Sequence, residues 1–110
     1  MPHIRIEYAG TPDVMQPVCE AVFDALAEHA AIPHPESLKV RALRCEAHRI
    51  GTEPGSFAHA HLALLPGRSE AVKTELAQLI LTVMRRLLPD VGSLSVDVSD
   101  LSPSYVKDVL

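Results

Sequence analysis

Once Met1 is removed, as is normal in the cytosol when a small residue follows, Pro2 becomes the chain end and carries a secondary amine. An α-amino group titrates at about pH 8, well below lysine, and burial beside cationic side chains disfavours its protonated form further. Such an amine is a neutral base near physiological pH, where general acid–base catalysis is most efficient. Many ordinary cytosolic chains also open with Met-Pro. What sets this one apart is the strand pattern that starts at once at His3, because it would hold residue 2 in place where most termini fray.

A base of this kind needs cations to hold an anionic substrate and to stabilise the enolate that proton removal creates. Arg68 stands in Pro66-Gly67-Arg68-Ser69, between a strand pattern and a helix pattern. There a guanidinium would act together with the free amides of a helix N-terminus, both suited to a carboxylate. Arg41 and Arg44 stand on a second strand, with Lys39 two residues before Arg41, so 39 and 41 share one face and 44 takes the other. His59 and His61 also share a strand face and could offer two imidazoles to a metal, but the sequence places no third ligand near them. They read as packed or hydrogen-bonded strand histidines, and no metal is expected. Cys19 and Cys45 read as small core residues, and Glu20, Asp24 and Glu28 as a solvated helix face.

The elements that must position these residues follow from periodicity. Residues 3–8 alternate apolar with polar, as a half-buried strand does. Thr11-Pro12-Asp13 reads as a helix start, with Thr11 as cap and Pro12 at the first helical position. Val14, Val18, Val22, Ala25, Leu26 and His29 recur at helical spacing, and Ile32-Pro33-His34-Pro35 ends the run. Residues 38–50 read as a long second strand, 51–56 as a turn and 57–65 as a third strand. Ser69 caps a second helix with Val72, Leu76, Leu79, Ile80, Val83 and Leu87 on one face, and residues 94–98 alternate as a fourth strand. The tail from Leu101 reads as irregular or one helical turn.

The fold class is therefore α/β (α+β in some schemes): two consecutive β-α-β units forming a four-stranded mixed sheet with two helices on one face, in one domain over residues 1–110. The other face would be bare, and part of an apolar set in each strand points to its burial against another subunit. A ferredoxin-like monomer has the same element order. The net charge of -4, with no run of Lys or Arg, speaks against nucleic-acid and acidic-membrane partners. Two cysteines and no secretion signal fit a reducing cytosol, and residues 76–88 are too short and too often polar to span a bilayer. No glycine-rich phosphate loop or nucleotide fingerprint is present, and no cofactor is expected.

Met1-Pro2-His3 with its following strand, Lys39-Val40-Arg41, His61-Leu62-Ala63-Leu64 and the turn Gly67-Arg68-Ser69 together resemble 5-carboxymethyl-2-hydroxymuconate isomerase. That family belongs to the tautomerase superfamily, with 4-oxalocrotonate tautomerase and macrophage migration inhibitory factor. The resemblance implies a homotrimer of β-α-β-β-α-β subunits with active sites near subunit boundaries, in keeping with the cytoplasmic setting that the cysteine usage suggests. It matches Pro2 to the proline base, Arg68 to the loop arginine that holds a carboxylate, and Arg41 to a strand arginine for a second carboxylate or the developing oxyanion. Lys39, Arg44 and His3 stand beside these as substrate-binding candidates. The family isomerase has an arginine where this chain has Lys39, and aromatic residues where it has Arg44. The implied activity is cofactor-independent proton transfer in 2-hydroxymuconate-like or other enolisable 2-keto acids. The alternatives are a non-catalytic binding module on the tautomerase fold and a ferredoxin-like interaction domain.

Overall fold

The computed structural model describes residues 1–11 and 14–110. The elements run β1 (His3–Ala9), α1 (Met15–Ala27), a short 3-10 turn (Pro35–Ser37), β2 (Lys39–Arg44), β3 (Phe57–Leu64), α2 (Glu70–Leu87) and β4 (Ser93–Asp100). The sheet order is β2-β1-β3-β4. β1 runs parallel to β2 and antiparallel to β3, and β3 runs parallel to β4, so each helix is the crossover of one parallel pair. The expected pair of β-α-β units on one mixed sheet is what forms.

Strict period-2 alternation decides which side is core. Ile4, Ile6 and Tyr8 of β1 and Ala58, Ala60, Leu62 and Leu64 of β3 turn to the helices and are buried. They meet Val18, Cys19, Val22 and Leu26 of α1 and Leu76, Ile80, Val83 and Met84 of α2. Complete burial of one such aliphatic side chain stabilises by roughly 1.5–3 kcal/mol, so this layer holds the sheet to the helices. Cys19 packs here as expected, and burial pushes its thiol pKa up.

The same alternation corrects one expectation. The bare face is more polar than expected: beside Leu43, Phe57 and Ala63 it presents His3, Arg5 and Glu7 of β1, Lys39 and Arg41 of β2, His59 and His61 of β3, and Ser95, Asp97 and Ser99 of β4. Because most of the apolar residues turn to the helices, most of the polar residues between them turn outward, and Leu43, Phe57 and Ala63 are the apolar residues that share this side. Arg5 pairs with Glu7 at 3.3 Å, and His59 and His61 bond the hydroxyls of Ser95 and Ser99 at 2.6 and 2.7 Å. Among the described residues no group of His, Cys, Asp and Glu is placed to hold a metal.

Three element bounds also differ. β2 stops at Arg44 rather than running to residue 50, so Cys45 lies past the strand end. α1 begins at Met15 with Val14 at the cap and no side-chain cap bond, so Thr11 does not cap it. Pro12, expected at the first helical position, lies outside the described residues. Pro17 instead sits in the first turn, where a backbone donor has no intrahelical acceptor. The apolar face shifts accordingly: Val14 is 47% exposed, Met15 is buried, and His29 falls beyond the helix end. In α2 Ser69 does cap, its hydroxyl accepting from the Val72 amide at 3.2 Å, while Met84 rather than Leu87 completes the buried stripe. No described helix is long and apolar enough to cross a membrane.

Candidate active site

Parallel pairing of His3 with Lys39 and antiparallel pairing of His3 with Ala63 bring the starts of β1 and β2 and the end of β3 to one end of the sheet. The segment after α1, the turn before α2 and the tail after β4 reach the same place. Between them lies a cleft of about 370 Å³, with apolar walls from Ile32, Pro33 and Leu65 and cations from Lys39, Arg68 and Lys107. Its volume suits a small organic acid. Pro2 lines it and is buried, its carbonyl accepting the Lys39 amide at 3.2 Å.

Arg68 reaches its position through a glycine. Gly67 has φ +126°, a conformation that only glycine adopts without strain, and the turn made there aims Arg68 back across the cleft. The guanidinium donates from Nε and Nη2 to the Ala31 carbonyl at 3.0 and 2.7 Å, and from Nη1 to the Leu65 carbonyl at 3.1 Å. A guanidinium has five N–H donors, so two remain for a ligand. Ala31 is itself fixed, because its amide donates to His29 Nδ1 at 3.0 Å. The tautomer this requires leaves the His29 Nε2 proton facing Glu75 of α2, 3.6 Å away.

The charge of the site is one-sided. Among the described residues the Lys39 ammonium donates to the Ser37 carbonyl, at 3.4 Å, and forms no ion pair. Glu36, the acid among the lining residues, pairs with His34 at 3.5 Å. The terminal amine of Met1 is held below its ordinary value of 8.0, first by partial burial and then by the positive charges of Lys107, Arg68 and Lys39. A chain of net charge -4 has thus gathered unneutralised cations around the start of its first strand. That arrangement attracts an anion and keeps an amine neutral.

The remaining candidates fall elsewhere. Arg41 lies on the open sheet face, its Nη1 donating to His3 Nδ1 at 3.2 Å, and it does not line the cleft. His3 also lies on that face, with Nε2 bonded to the Tyr105 hydroxyl at 3.1 Å. Burial, then Arg41, Lys39 and the chain terminus, hold its pKa below 6.5. Arg44 pairs with Tyr8 at the far end of β1, five residues from the His3–Lys39 pair, beside Cys45 and His48. At about 3.3 Å per residue that is some 16 Å from the cleft. Pro2, Lys39 and Arg68 are thus brought together; Arg41, Arg44 and the side chain of His3 are not. Lys107 and Tyr105 escaped the sequence reading because an irregular tail has no period to show where its side chains go. A wider groove of about 730 Å³ runs between α1 and β2, lined by Lys39 together with Glu20 and Asp24, and there no base is paired with a cation cluster.

A family model described as 5-carboxymethyl-2-hydroxymuconate isomerase matches residues 2–105. No curated protein matches the sequence. In structure the chain is similar to a 5-carboxymethyl-2-hydroxymuconate isomerase from Deinococcus radiodurans R1, with TM-score 0.84 and 24% identity over 98% of this chain and 90% of that one. A 5-carboxymethyl-2-hydroxymuconate delta-isomerase superposes with TM-score 0.76 and 23% identity, over 100% of this chain and 87% of its own. A fused 4-OT described as a symmetric trimer does so with TM-score 0.75 and 16% identity, over 96% and 90%.

Proposed function

From the premise that the chain belongs to the 5-carboxymethyl-2-hydroxymuconate isomerase family and is an isomerase, we propose that it moves a proton within 2-hydroxymuconate-like or other enolisable 2-keto acids, with Pro2 as the base. Once Met1 is removed, the Pro2 nitrogen is a secondary amine with a free lone pair. It takes the proton of the enol hydroxyl and, as an ammonium, returns it to a carbon of the same substrate. The two free donors of Arg68 hold a substrate carboxylate, and Lys39 adds positive charge where the enolate develops. No cofactor takes part, since no electrons leave the substrate. Arg41 acts on the open face through His3, the residue next to the base.

One observation carries this reading: Pro2 is buried in a cleft where burial, and then unneutralised cations, depress the amine of the adjoining Met1. The test compares protein shown by mass spectrometry to lack Met1 with protein that retains it, following ketonisation of 2-hydroxymuconate by loss of ultraviolet absorbance. The processed form is expected to be active. The retained form should be slower by about 10²-fold or more, because an amide nitrogen has no lone pair to offer. Equal rates would overturn the proline base.

Assembly belongs to the same reading. β2 and β4 leave unpaired strand edges, and a structural neighbour is a symmetric trimer, which supports a homotrimer. Two free thiols and an acidic surface suit the cytosol.

A further inference from the structure

We propose that Lys107 binds a second carboxylate of the substrate in the Pro2 cleft, carried there by a C-terminal strap that the Tyr105–His3 hydrogen bond pins to the sheet. The proposal rests on the proton-transfer reading above and narrows its substrate to enols with a carboxylate at each end.

The strap is built step by step from the end of β4. The Leu101 amide donates to the Leu64 carbonyl at 2.6 Å, which holds the chain against the end of β3. Ser102 then forms a turn: its hydroxyl accepts the Ser104 amide at 3.1 Å and its carbonyl accepts the Tyr105 amide at 3.0 Å. Tyr105 lands against His3, with ring centroids 6.0 Å apart and planes at 89°. Two residues further on, Lys107 enters the wall of the cleft.

Chemistry sets the direction of the pin. Arginine can only donate, so His3 Nδ1 must be the acceptor for Arg41. The ring proton then sits on Nε2 and is donated to the Tyr105 oxygen. His3 works as a neutral ring, in keeping with its lowered pKa. Arg41, His3 and Tyr105 thus form one line of donors that ends at the strap.

The choice of Lys107 for the second carboxylate follows from what the other cations already do. Arg68 has three donors committed to carbonyls, and Lys39 donates to Ser37. Lys107 takes part in none of the ion pairs or hydrogen bonds among the described residues, yet its charge reaches the chain terminus. An exposed ammonium on a pinned strap can meet a carboxylate that Arg68, fixed on the turn before α2, does not hold.

The experiment uses processed protein and the variants K107M, K107R and Y105F. Two enols are compared, the diacid 2-hydroxymuconate and the monoacid enol-phenylpyruvate, with cis,cis-muconate as a non-reacting diacid in calorimetric titration. K107M should raise KM for the diacid about tenfold with kcat within about twofold, the pattern of lost ground-state binding. It should leave the monoacid KM within about twofold and weaken muconate about tenfold. K107R should restore both, and Y105F should raise the diacid KM by about threefold. Unchanged diacid KM and muconate affinity in K107M would overturn the proposal, as would an equal loss for diacid and monoacid. If wild-type protein ketonises neither enol while K107M still loses muconate, the proton-transfer reading fails and the diacid site stands.

Discussion

At the scale of single residues, the proposed reaction gives Pro2 and Arg68 opposite requirements: one must stay unbonded and neutral, the other must be tied down and charged. Processed protein should therefore show a pH–rate profile with its ascending limb below the ordinary value of an exposed amino-terminal proline, because the burial and then the cations that lower the Met1 amine surround Pro2 as well. The sign is fixed by the chemistry: the base works only when deprotonated, so a lowered pKa extends activity toward lower pH. A limb above the ordinary value would mean that the cations do not act on it. Arg68→Ala should weaken diacid binding by roughly 2–4 kcal/mol in a titration with cis,cis-muconate. Arg68→Lys should recover little of that, since an ammonium that bonded both Ala31 and Leu65 would keep one donor for a carboxylate where the planar guanidinium keeps two. Pro2 and Arg68 were legible in the sequence because each sits at a punctuation point, a chain start and a strand-to-helix turn. Arg41 and Arg44 were not, because residue type on a strand says nothing about which end of the sheet, or which face, the cleft occupies.

Among the elements, the turn before α2 and the segment after α1 do the positioning, and both depend on backbone geometry. Gly67→Ala introduces a side chain at φ +126° where nothing lies within 4 Å, so the cost is conformational strain rather than a clash. It should lower stability by about 1–2 kcal/mol and, by re-aiming Arg68, raise KM for a diacid more than the stability loss explains. Ser69→Ala should cost about 1 kcal/mol of stability through the lost cap on Val72 and leave KM nearly unchanged. Urea melts and steady-state kinetics on both variants separate the two effects; equal KM changes would mean that the turn does not aim the guanidinium. Helices and strands were legible from periodicity, whereas their ends were not. α1 starts at Met15 rather than at the Thr11-Pro12-Asp13 signal, and β2 stops early because β1, its pairing partner, is itself only seven residues long.

For the whole molecule, the polar open face changes how a trimer can be held. Arg5, Glu7, His59 and His61 already satisfy one another or nearby serines, so a face lined by them suits water better than a dry interface. Cohesion between copies would then come from the unpaired edges of β2 and β4 and from apolar groups exposed near them, such as Leu43 on β2, which is 46% exposed. Light scattering on the processed protein should give about three times the 11.9 kDa of one chain. Leu43→Glu places a charge where each copy would bury an apolar side chain worth roughly 1.5–3 kcal/mol, and the contact repeats around the ring. That variant should shift the mass toward the monomer, whereas His59→Ala on the solvated face should leave it unchanged. A wild-type monomer at micromolar concentration would remove the trimer. The dissociated variant also bears on the chemistry, because Pro2, Lys39, Arg68 and Lys107 all line the cleft from one chain. If Leu43→Glu monomers keep their affinity for muconate, the anion site is complete in a single subunit. If they lose it, a neighbouring copy must supply part of the cleft, and the open face with Arg41 is the place to look for it.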